Sequence, residues 1–218
     1  PYESKGLKFL KRDPYLDGFQ VKGLEIIDRF IKDVDADIYV LTHVTQPFTK
    51  GTSIAKALEK VVSGEYDSAF SAVMLQDYMW MNGKPFNYDM KNIVRTQDLK
   101  PIYMETGAFF IFRKEVFTKL GQRIGNKPYI YEIDQFEAVD VDTAELNLSF
   151  KVITLAHGIS VSALMRLSFS FLSSFATPAG TTTGFPPYAL TFLISSCEST
   201  GTEYGCGFCV SNDSISIS

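Results

Sequence analysis

Two aspartates carry the sharpest chemical signal in this chain. Asp140 and Asp142 lie in the run Glu137-Ala138-Val139-Asp140-Val141-Asp142. Read as a strand, this run puts residues two apart on one face, so both carboxylates stand side by side at its C-terminal end. That end is where ligands collect in open α/β sheets. Adjacent carboxylates repel unless a proton or cation lies between them, and hard Mg²⁺ suits such an oxygen pair together with phosphate oxygens. The plainer reading is that Asp142 turns the chain and Thr143 caps a helix.

Two further segments offer recognition chemistry. In the run from Arg95 to Phe112, Arg95 presents a planar fork suited to a carboxylate or phosphate. Glu105 sits two residues before Gly107, where the backbone can approach a ligand closely. The plainer reading is a surface arginine, a loop acid and a turn glycine. The run Thr42-His43-Val44-Thr45-Gln46-Pro47-Phe48 follows an apolar stretch, which places His43, Thr45 and Gln46 at a strand's C-terminal rim. His43 suits a ligand contact or a general base, and equally a hydrogen-bonded structural histidine. No Ser/His/Asp arrangement, Walker loop or GxGxxG occurs. Cys206-x-x-Cys209 has no second pair and no nearby His, which argues against zinc or thioredoxin-like chemistry.

Alternating helices and strands would position these groups. Ile27, Phe30, Ile31 and Val34 recur at helical spacing and predict a helix over 23–34. Residues 37–42 read as a strand covered on both faces. Thr52 then suits an N-cap, Ile54, Leu58, Val61 and Val62 form the next helical stripe, and Gly64 ends it. Further strands are predicted at 68–74, 107–112, 129–133 and 137–141, with helices at 113–120 and after Thr143. This alternation implies βαβ units and a mostly parallel sheet. Asn82-Gly83 between aromatic-rich arms is a two-residue hairpin signal, predicting a projecting ribbon over 77–89 that could serve as a homodimer contact.

Composition divides the chain of 218 residues. Residues 1–157 hold 20 Lys+Arg and 22 Asp+Glu, whereas residues 158–218 hold one Arg and three acids beside 13 Ser and 7 Thr, and all three Cys. The expectation is therefore a folded domain over 1–157 and a low-charge tail over 158–218, read as disordered or as non-native coding sequence. The formal net charge of −4 argues against a nucleic-acid or anionic-membrane surface. Apolar tail segments are short for a bilayer span, and Arg166 interrupts the longer one. No signal or transit peptide is evident, so a cytoplasmic location is expected.

Taken in order, the segments Lys8–Gly18, Asp35–Phe48, Asn92–Phe112 and Glu137–Glu145 resemble the acylneuraminate cytidylyltransferases, the CMP-sialic acid synthetases, over residues 5–145. The resemblance implies a Rossmann-like nucleotide-diphospho-sugar transferase sandwich (GT-A-like, three layers). It also implies transfer of CMP from CTP to the anomeric hydroxyl of an acid sugar, with release of pyrophosphate. By the same resemblance Asp140 and Asp142 are the catalytic, Mg²⁺-binding pair, and His43, Thr45, Arg95, Gln97, Glu105 and Gly107 are the substrate-binding set. The family's opening strand and phosphate loop have no counterpart before Pro1, so an N-terminally truncated member is expected. Thr106 replaces the family's usual Asn, and the loop after the central strand lacks its final Arg. A non-catalytic remnant and an eight-carbon acid-sugar cytidylyltransferase are the alternatives.

Overall fold

The computed structural model describes residues 7–18, 20–141, 188–195, 207–211 and 213–215. In chain order its elements are β1 (Leu7–Lys11), α1 (Gly23–Asp33), β2 (Ile38–His43), α2 (Gly51–Val62), β3 (Ser68–Leu75), β4 (Trp80–Met81), β5 (Lys84–Pro85), β6 (Ile102–Arg113), α3 (Lys114–Leu120), β7 (Pro128–Glu132), β8 (Tyr188–Ser195), β9 (Gly207–Ser211) and β10 (Asp213–Ile215).

β2 and β6 explain why helices lie on both faces of the sheet. Along β2, Ile38 and Val40 join one apolar cluster while Tyr39 and Leu41 join the other. Along β6, Phe109 and Ile111 face the first cluster, and Phe110 and Phe112 the second. This is the two-residue period of extended chain with no polar face. α2 closes the first side through Ile54, Ala57, Leu58 and Val61. α1 closes the second through Ile27, Phe30 and Ile31, joined by Val116 and Phe117 of α3. Burying each of these larger side chains contributes about 1.5–3 kcal/mol. The Arg113 guanidinium donates to the Val61 and Val62 carbonyls, which ties the C-terminal end of α2 to β6.

The sheet order is β1-β9-β8-β2-β6-β3-β7, with β10 also paired to β8. The expected mostly parallel sheet is corrected to a mixed one. β2–β8 and β3–β7 are parallel, but β6 runs antiparallel to both β2 and β3. The cause lies between β3 and β6. A parallel return needs a crossover, usually a helix, whereas residues 76–101 form the small β4–β5 ribbon and a single 3-10 turn at Thr96–Asp98. In the ribbon Asn82 and Gly83 both have positive φ, 51° and 73°, as a two-residue primed turn requires. Trp80, Met81, Phe86, Met90 and Ile93 are exposed there and just beyond it. On its other side β2 is flanked by β8, in register from Ile38↔Leu190 to His43↔Ser195.

Helix and strand positions otherwise follow the periodicity within a few residues, with three exceptions. β6 begins at Ile102, five residues before the predicted strand. α2 starts earlier than the Thr52 cap predicts, at Gly51 behind Lys50. The strand expected at 137–141 is absent: Ala138 and Val139 donate back to the Asp134 and Phe136 carbonyls in a turn. The turn forms because Glu137 points inward and is buried against Lys50 rather than alternating outward. Asp142 and the helix expected after Thr143 lie outside the described residues, as do Cys206 and the apolar tail segment carrying Arg166. No described helix is long and apolar enough to cross a membrane.

Candidate active site

β2, β3 and β7 all end on the same edge of the sheet, and the loop after β2 meets residues 134–141 there. Hydrogen bonds, ion pairs and a ring contact join the two. The Val141 N–H donates to the Thr45 carbonyl at 2.8 Å. The Lys50 N–H donates to Glu137 Oε1 at 2.9 Å, and Lys50 Nζ donates to Asp134 Oδ2 at 2.6 Å. The rings of Phe48 and Phe136 lie 4.0 Å apart between centroids. Finally, Gln46 Nε2 donates to Asp140 Oδ2 at 3.1 Å.

Local sequence explains how the loop holds its shape. The Gln46 N–H donates to the His43 carbonyl, and both the N–H and the hydroxyl of Thr49 donate to the Gln46 carbonyl. These short-range bonds leave the Gln46 side chain directed inward, and the residue is only 4% exposed. Opposite it, β6 is bulged against β3, with the pairing shifting between Phe70↔Phe110 and Ala72↔Glu105. Ser71 fills the irregularity: its hydroxyl accepts from Thr106 Oγ1 at 2.7 Å and from the Phe109 N–H at 3.1 Å. Bulges re-aim the chain beside sites. Here the re-aimed residue is Gly107, where a Cβ would stand 3.1 Å from Gln46 Nε2 and 3.6 Å from His43 Cδ2. Glycine is needed for close approach, not for a special backbone angle.

The centre of the arrangement is polar and incompletely satisfied. Asp140 Oδ1 and Gln46 Oε1 are both buried and have no hydrogen-bond partner among the described residues. Buried acceptors without donors are rare and ask for an occupant. Two oxygens, one of them on a carboxylate, are hard donors of the type Mg²⁺ prefers, so the residues fit the ion that the aspartate motif implies. The described residues contain no group of three or more His, Cys, Asp or Glu arranged to hold a metal. Around the rim, the Lys50 ammonium holds the Asp134 carboxyl below its ordinary range, helped by the Glu137 N–H. Asp134 in turn raises Lys50.

The sequence-predicted residues separate into two groups. His43, Thr45, Gly107 and Asp140 gather around Gln46. Arg95, Gln97 and Glu105 are engaged elsewhere. The Arg95 side chain, 78% exposed, is forked onto Asp98 by bonds of 2.8 and 3.1 Å. The Gln97 carbonyl accepts from Gln76 at 3.1 Å. Glu105 pairs with Arg123 at 3.1 Å, whose guanidinium lies over the Phe110 ring. Leu75 pairs with Ile102, five residues from Gly107 along β6. The segment carrying Arg95 is tied to this end of β3, where Gln76 Nε2 donates to the Gln97 and Leu99 carbonyls. Sequence reasoning noted Gln46 only as a rim residue and missed Glu137. Their contacts are not local, because their partners lie 94 and 87 residues away.

No protein-family model matches the chain. Among curated proteins it is similar to the N-acylneuraminate cytidylyltransferase of Streptococcus agalactiae serotype III, 28% identical over 149 residues, covering 65% of this chain and 36% of that protein. It is also similar to N-acylneuraminate cytidylyltransferase A of Danio rerio, 26% identical over 146 residues, covering 63% of this chain and 34% of that protein. The chain thus spans about a third of the length of the curated relatives it matches. Over about two thirds of its own length, the chain is similar to proteins named N-acylneuraminate cytidylyltransferase.

Proposed function

We propose that the site at the end of β2 belongs to a nucleotidyltransferase that joins CMP from CTP to the anomeric hydroxyl of a sialic-acid-like sugar. In this reading the hydroxyl oxygen attacks the α-phosphorus, the bond to the β-phosphate oxygen breaks, and pyrophosphate leaves. The observation that carries the reading is the half-satisfied Asp140–Gln46 pair, lying on the sheet edge where such ligands bind. Asp140, with Asp142 beside it in sequence, is the proposed holder of Mg²⁺. When bound, the ion would offset charge developing on the phosphate oxygens. His43, Thr45 and Gly107 line the same rim and would face the reacting groups. Arg95, Gln97 and Glu105 are the proposed outer contacts, with Arg95 able to exchange Asp98 for a sugar carboxylate and so favour acid sugars. We also propose a homodimer through the 77–89 ribbon, where Tyr78, Trp80, Met81 and Phe86 are exposed.

The test is pyrophosphate release by the full chain from CTP, Mg²⁺ and a panel of eight- and nine-carbon acid sugars. Release with an acid sugar but not a neutral one is expected, and Asp140→Asn should remove it while leaving the circular dichroism spectrum unchanged. Near-normal turnover in Asp140→Asn would overturn the assignment of this site.

A further inference from the structure

We infer that Gln46 is the positioning residue of this site, and that its side-chain oxygen joins Asp140 in holding the divalent cation. The inference deepens the proposed reading and rests on it, because that reading supplies the cation at Asp140. What it adds is a second, neutral oxygen ligand from a residue that carries no charge.

The argument starts from the amide's two ends. Nε2 can only donate and Oε1 can only accept. The donating end is committed to Asp140 Oδ2 at 3.1 Å, which fixes the rotation of that carboxylate. The accepting end and the carboxylate's second oxygen are then the two buried acceptors without donors. Turning the amide over would set Oε1 against Oδ2, acceptor against acceptor, and would leave Nε2 unsatisfied in its place. The observed orientation is therefore the one that presents two oxygens to a common guest. A cation satisfies both at once.

The surroundings hold the amide in place. Gly107 leaves the space in which it lies, and the Thr49 and His43 bonds fix its backbone. Val141 is tied to the Thr45 carbonyl, so the residues flanking the pair on both strands of contact are anchored. Residues that orient a ligating carboxylate typically change metal affinity by about 10–100-fold when replaced.

The experiment measures Mn²⁺ binding to the full chain directly, by electron paramagnetic resonance of the free ion, without substrates. Wild type, Asp140→Asn, Gln46→Leu and Gln46→Glu are compared, each with its thermal midpoint in the presence and absence of Mn²⁺. Gln46→Leu should weaken Mn²⁺ by tenfold or more. Gln46→Glu sets a carboxylate oxygen where the amide donated to Asp140. It should lower the metal-free midpoint and show a larger Mn²⁺-induced rise than wild type, a response that a purely structural glutamine would not produce. If Asp140→Asn abolishes binding while both Gln46 variants bind and respond like wild type, the inference about Gln46 is wrong and the Asp140 site stands. If Asp140→Asn binds Mn²⁺ like wild type, the metal reading itself fails. Should Gln46→Leu not fold, the Gln46→Glu response decides alone.

Discussion

Glu137 is the residue whose removal should most clearly expose how the site is assembled. It is 2% exposed, and its Oε1 accepts the Lys50 N–H at the start of α2. Replacing it with alanine deletes this charged acceptor and one buried methylene. A hydrogen bond to a charged group is worth about 1.5–3 kcal/mol, with the loss of the helix-start acceptor already contained in that figure. The methylene adds about 0.8 kcal/mol. Relief of the buried charge works in the opposite direction. The bond to the Lys50 ammonium is left out because that side chain is half exposed. The net expectation for Glu137→Ala is a loss of about 2–3 kcal/mol, or about 4–12 °C in Tm at about 2–4 °C per kcal/mol for a chain of this size.

Glutamine at the same position keeps the volume and one acceptor oxygen, so Glu137→Gln should lose less than half as much. Thermal unfolding of the full chain at pH 7 in metal-free buffer, followed by circular dichroism, measures both. The same preparations titrated with Mn²⁺ should show weaker binding in Glu137→Ala, because Glu137 and Asp140 lie on one short turn and share its anchorage. An alanine variant within about 0.5 kcal/mol of wild type would refute the reasoning, since a buried carboxylate bonded to a helix start cannot be that neutral. A glutamine variant as damaged as the alanine one would refute it differently, by making the Lys50 charge the dominant partner.

Two other expectations concern the same few residues. Gly107→Ala places a methyl 3.1 Å from Gln46 Nε2 at a position with ordinary backbone angles; it should leave Tm nearly unchanged yet weaken Mn²⁺, and unchanged binding would show that the amide shifts without consequence. Asp134 has a folded pKa held below its ordinary value by Lys50, so its contribution to stability is present above the ordinary carboxylate range and is lost as pH falls through the lowered folded value. Asp134→Asn should accordingly flatten the acid limb of a Tm-versus-pH profile, and an unaltered limb would remove this pair from the account.

Much of the fold could be read from the sequence because its causes are local. The stripe of Ile27, Phe30 and Ile31 has one apolar face at helical period, and β2 has no polar residue on either face before Thr42. Asn82-Gly83 needs only its own backbone to turn. What stayed hidden depended on distance along the chain. The antiparallel course of β6 follows from the absence of a crossover helix between residues 76 and 101, a feature visible only as missing periodicity. The strand predicted over 137–141 failed because alternation assumes that every second side chain points outward. Burial of Glu137 against a helix start 87 residues away cancels that assumption.

The same contrast governs the candidate site. For Asp140 the geometry differs from the expectation: a strand would align it with Asp142 by backbone period alone, whereas a turn anchored on Lys50, Thr45 and Gln46 holds it instead. Arg95 illustrates the converse. Its fork suits a carboxylate, and it does hold one, the carboxylate of Asp98 three residues on. A residue type states what a side chain can bind; the partner it finds depends on which backbone segments the sheet brings to the same edge. On this edge the chain brings together an amide, a carboxylate and a glycine that makes room for both. Of these the amide matters most for the argument. A lone carboxylate at a sheet edge could be satisfied by water, but a buried amide that spends its donor on that carboxylate and leaves both remaining oxygens without partners requires a positively charged guest or a donor to complete it.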